Sequence, residues 1–95
     1  MTVILEGSEM KSPEMLHAYV KHKLHFPGCY GNNLDALWDC LTTDVELPVT
    51  VKWMDFSIGE EFIGDYAQQA SAIFLDAEKE VPGFQVEITA ASSGQ

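Results

Sequence analysis

Arginine is missing altogether from this 95-residue chain, and five lysines are its whole fixed cationic complement against fifteen aspartates and glutamates. A net charge of −10 repels nucleic-acid phosphate and anionic membrane surfaces, so neither is an expected partner; a cationic protein is. With no guanidinium to clamp a carboxylate through two parallel hydrogen bonds, a surface acid here finds few strong partners within the chain. Cysteine is equally scarce, and Cys29 and Cys40 fit reduced thiols better than a disulfide framework. No apolar run approaches the ~20 residues that cross a bilayer. The start, Met1-Thr2-Val3-Ile4-Leu5-Glu6, is too short and too acidic for a secretory signal, and a cytoplasmic location is expected. Gly-rich phosphate loops, CxxC pairs and Gly-x-Ser-x-Gly elbows are also absent, and no cofactor is expected.

What is present suits one core and not two, so residues 1–90 are read as one domain and the small, polar 91–95 as a short flexible tail. Thr2–Leu5 is a short apolar run that reads as a strand. Ser12-Pro13-Glu14 opens a helix in the order cap, proline, acid, with Leu16, Tyr19, Val20 and Leu24 as its inner stripe, and Pro27-Gly28 closes it. Val49, Val51 and Trp53 alternate along a second strand and Phe84, Val86 and Ile88 along a third. Between them, residues 55–64 read as a short, poorly defined helix. Asp65 and Gln68 form a capping-box pattern for a longer helix burying Ala70, Ile73, Phe74, Ala77 and Val81. The succession predicts an α/β fold: a three-stranded parallel sheet of order 1-2-3, joined by right-handed crossovers, with helices packed mainly on one face.

The stretch from Tyr30 to Thr42 organises the rest. Gly31 can supply a left-handed turn, and Asn33 is a good N-cap for a helix starting at Leu34. At ~100° per residue, Leu34, Leu37, Trp38 and Leu41 form an inner stripe, which leaves Asp35 and Asp39 together on the other side. The helix dipole favours Asp35 in the first turn, whereas Asp39 lies beyond that help and faces a like charge at i, i+4. Asp76 and Glu80 repeat the spacing on the last helix. A glycosidase-type carboxylate pair needs one acid desolvated in an apolar pocket, and nothing here provides it. His22 and His25 could share a metal with an acid, but histidines close to a helix C-terminus are more simply solvated groups favoured by the dipole, and no metal site is expected.

Tyr30-Gly31-Asn32-Asn33-Leu34-Asp35-Ala36-Leu37-Trp38-Asp39-Cys40-Leu41-Thr42 closely resembles the signature of the barstar family, intracellular inhibitors of a secreted ribonuclease, and the likeness extends over nearly the whole chain. The resemblance implies an inhibitor, not an enzyme, that forms a heterodimer with a basic, barnase-like microbial ribonuclease. Its acidic helix enters the active site in place of RNA phosphate. On matching positions Asp35 and Asp39 are the main contacts, with Asp39 in the phosphate pocket, Asp76 at the edge and Glu80 peripheral. Gly31, Asn33, Leu34 and Thr42 fall on contact or framing positions, and Trp38 lies beside the interface. Cys29 stands where the family has an aromatic residue that packs against the nuclease, Asn32 where it has an acid, and Thr43-Asp44 where it has Gly-Trp. An acidic interaction or immunity module with a toxin or other non-ribonuclease partner remains the alternative expectation.

Overall fold

The computed structural model describes residues 1–90; the flexible tail expected at 91–95 lies outside the described residues. Burial alternates along β1 (Thr2–Glu6), β2 (Val49–Met54) and β3 (Phe84–Ile88), placing Val3 and Leu5, then Val49, Val51 and Trp53, then Phe84 and Val86 on one face. The strands are parallel and ordered β1-β2-β3, and their register sets Val3 opposite Val51, Leu5 opposite Trp53 and Val51 opposite Val86. Buried side chains therefore form rows across the sheet, the arrangement expected from the alternation. β1 is an edge strand despite its apolar sequence, and its Ile4 lies on the opposite face, exposed.

Four helices complete the α/β fold: α1 (Pro13–Leu24), α2 (Leu34–Thr43), α3 (Phe56–Ile63) and α4 (Asp65–Glu80). Ser12 caps α1 by accepting from Met15 N at 3.1 Å, with Pro13 in the first position where its missing N–H costs nothing. His25 ends α1 in the left-handed conformation, and Phe26 N returns to Lys21 O. In α4 the small residues Ala67, Ala70 and Ala77 permit close approach while Phe74 fills the centre, stacked on Phe84 and edge-on to Trp53. Burying such a ring stabilises the fold by about 1.5–3 kcal/mol. The helices divide the work: α1 packs on β1, α4 on β3, and α2 chiefly on α4.

One expected cap does not form. Gly64, at φ 62° and ψ −137°, turns the chain from α3 directly into α4, so Asp65 is already helical and makes no side-chain cap. Gln68 instead donates to the Glu60 carboxylate of α3. The ill-defined segment after β2 proves to be the regular helix α3. Gly7, in the 3-10 turn Gly7–Glu9, lies against it so closely that a side chain there would strike the Asp55 carbonyl.

Candidate functional site

The helix bearing Asp35 and Asp39 is fixed at its start by one side chain. Asn33 is extended, its Oδ1 accepts from Ala36 N at 2.7 Å, and its Nδ2 donates back to the Gly31 carbonyl at 3.3 Å. The expected N-cap is therefore present, but the left-handed residue of the turn is Asn32, at φ 58°, and not Gly31. Asparagine adopts that conformation more readily than most residues because its short polar side chain can hydrogen-bond locally. A Cβ at Gly31 would lie 3.4 Å from both Ala36 Cβ and Asn33 Nδ2, at the near edge of ordinary contact.

Along α2, Leu37, Cys40 and Leu41 are buried, whereas Leu34 and Trp38 are half-buried at the margin of the stripe. Asp35 and Asp39 are exposed on the other side, and neither carboxylate has a hydrogen-bond or ion-pair partner among the described residues. Thr42 Oγ1 donates to the carbonyls of Trp38 and Asp39 at 2.9 and 3.2 Å, and Thr43 Oγ1 to that of Asp39 at 2.6 Å. The last turn carries no basic residue, so the partial negative charge of the helix end adds to that of Asp39. Asp76 and Glu80 are exposed on α4, the helix on which α2 rests, which makes the two acidic helices neighbours. Cys29 is an exposed thiol next to buried Tyr30. Burial, with a hydrogen bond to Asp44 and nearby negative charge, pushes the Cys40 thiol up to about 11, so it stays protonated near neutrality.

Beneath this loop lies a feature the sequence reading missed. His17 is 1% exposed, and its Nδ1 and Nε2 lie 2.6 Å from the hydroxyls of Tyr30 and Tyr66 respectively. Tyr30 is buried and Tyr66 half-buried, which assigns the protons. The Tyr30 hydroxyl donates to Nδ1, the Nε2–H donates to Tyr66 Oη, and the Tyr66 hydrogen is left for solvent. A protonated imidazole would deprive the Tyr30 hydroxyl of its acceptor inside the core. Burial lowers the His17 pKa below its ordinary value, against an opposing pull from Glu14. One histidine thus ties α1 to the first residue of the signature stretch and to the first turn of α4. The signal was present in the spacing: His17, Val20 and Leu24 stand at i, i+3 and i+7, the inner face of α1. His22 and His25, by contrast, are exposed, and no set of three His, Cys, Asp or Glu residues is placed to hold a metal among the described residues.

The described residues also contain no helix long and apolar enough to cross a membrane. The chain presents an exposed acidic helix, capped at its start by Asn33 and buttressed from below, with no cation paired to it among the described residues. A family model described as "Barstar (barnase inhibitor)" matches residues 1–92. A protein of Bacillus subtilis (strain 168) named "Putative ribonuclease inhibitor YrdF" is 42% identical over 79 residues, covering 83% of this chain and 87% of that protein.

Proposed function

The chain belongs to the barstar family, and from that premise we propose that it inhibits a basic microbial ribonuclease of the barnase type. The inhibitor forms a heterodimer in the cytoplasm and closes the active site with the outer face of α2. A ribonuclease gathers lysine, arginine and histidine around the phosphates of its substrate. Carboxylates held at fixed spacing on a helix can replace those phosphates and their waters through charge-assisted hydrogen bonds. Asp39 occupies the phosphate pocket, Asp35 binds beside it, and Asp76 and Glu80 meet the rim. Gly31, Asn33, Leu34 and Thr42 frame the contact, with Cys29 and Trp38 at its margins. An interface of ordinary size, ~1,600 Å² in total, suffices.

The observation that carries this reading is the pair of exposed carboxylates on a capped helix, with no cation among the described residues paired to either of them. Such acids are solvated in the free protein, and their burial becomes favourable only against a partner that supplies the missing cations. The test is a titration of the purified chain into several small basic ribonucleases while RNA cleavage is followed. Activity falling linearly to zero at one equivalent with one of them supports the reading. Undiminished cleavage by all of them would favour the immunity module with another kind of partner.

A further inference from the structure

The five lysines are not evenly spread. Lys21 and Lys23 lie on the last turn of α1 with His22, and His25 follows directly. These residues line two adjoining grooves of about 340 and 380 Å³, the second of which runs along Thr2, Val3 and Ile4 of β1. A molecule with net charge −10 therefore keeps two lysines, flanked by two imidazoles that can donate or accept hydrogen bonds, beside the edge of its sheet.

That edge is open. Met1 O accepts from Thr50 N at 2.8 Å, which fixes the direction of alternate peptide groups: those of Val3 and Leu5 turn toward β2, those of Thr2, Ile4 and Glu6 away from it. The outward Glu6 N–H is taken by the Tyr19 hydroxyl at 2.9 Å. The outward N–H and C=O groups of Thr2 and Ile4 have no partner among the described residues. Edge groups of this kind are a template for a further strand, and protein chains commonly cover or block them. Here Tyr19 blocks one end and leaves a template about three residues long.

We infer that the free edge of β1 takes a short, extended, acidic segment of a partner protein as a fourth strand. Its backbone pairs with Thr2 and Ile4, and its carboxylates meet Lys23, His22 and His25. Charge selects this occupant. A second copy would bring the same basic residues to the contact and none of the carboxylates that they can bind. A basic segment would meet the same lysines. The acidic helices α2 and α4 contribute nothing to this groove, so its occupation is compatible with occupation of the other site.

The test uses the full chain, labelled with 15N, titrated with a blocked Glu-Val-Glu-Val-Glu peptide and, separately, with Lys-Val-Lys-Val-Lys. The acidic peptide is expected to shift the Thr2 and Ile4 amide resonances and slow their hydrogen exchange, and the basic peptide to leave them unmoved. Lys23→Glu should weaken binding about fivefold. Ile4→Pro should weaken it about tenfold, since it removes an outward donor that the existing ladder does not use. Should Ile4→Pro not fold, the two peptides and Lys23→Glu still decide the matter. Equal response to both peptides, shifts confined to other residues, or no shift at all would overturn the inference. So would slowed Thr2 and Ile4 exchange that depends on protein concentration with no peptide present, which would make a second copy the occupant.

Discussion

At the scale of single residues, the fold rests in part on a buried histidine. His17 joins Tyr30 to Tyr66 through two hydrogen bonds of 2.6 Å and is held neutral by its burial. Because its pKa in the folded chain lies below that in the unfolded chain, unfolding takes up a proton at mildly acidic pH. The stability this contributes is complete above the unfolded value near 6.5 and is lost progressively as the pH falls through the lowered folded value. His17→Gln is therefore expected to be less stable than the parent by about 1–3 kcal/mol at pH 8, through its disturbed hydrogen bonds. The gap between parent and variant should narrow by pH 5, as measured in parallel urea unfolding curves. A gap independent of pH would show that His17 does not titrate as described.

At the scale of the elements, the strands and the cap of α2 were legible because each depends on neighbours in the chain, and the strand order followed from right-handed crossovers with the helices on one face. Alternation at Val49, Val51 and Trp53 and the Asn33 cap needed no knowledge of tertiary contacts. The histidine network was hidden because Tyr30 and Tyr66 lie 13 and 49 residues from His17, a pairing that only packing reveals. The capping box at Asp65 failed for a related reason: Gly64 joins α3 and α4 so tightly that no extended residue remains to act as cap, and Glu60 on the previous helix captures Gln68. In the turn before α2 the positive φ fell on Asn32 and not on Gly31, a choice that asparagine's local hydrogen bonding permits. The acidic positions were placed correctly on exposed faces of α2 and α4, whereas their role rests on the family. Asn33→Ala removes the cap to Ala36 N, and with it the bond to the Gly31 carbonyl, and should cost about 1 kcal/mol of stability in thermal or urea unfolding. An unchanged unfolding midpoint would mean that the turn, and not the cap, sets the start of the helix.

At the scale of the whole molecule, charge dominates. A protein of net charge −10 and a basic ribonuclease attract each other before they touch, and that attraction is screened by salt. The association rate, followed by stopped-flow fluorescence of the tryptophans, should fall by about tenfold or more between ~50 and ~500 mM salt, with dissociation much less affected. A salt-independent association rate would remove the long-range field from the account. The proposed inhibition turns on a more local contact, in which the carboxylate of Asp39 stands in for a phosphate while Asp44, exposed just past the end of the same helix, does not. The most direct measurement compares the dissociation constants of Asp39→Ala and Asp44→Ala against the inhibited ribonuclease at one fixed salt concentration. Asp39→Ala is expected to lose more than about a hundredfold, the cost of leaving buried cations unpaired, and Asp44→Ala to change by a few fold. Equal, small losses for the two would contradict it.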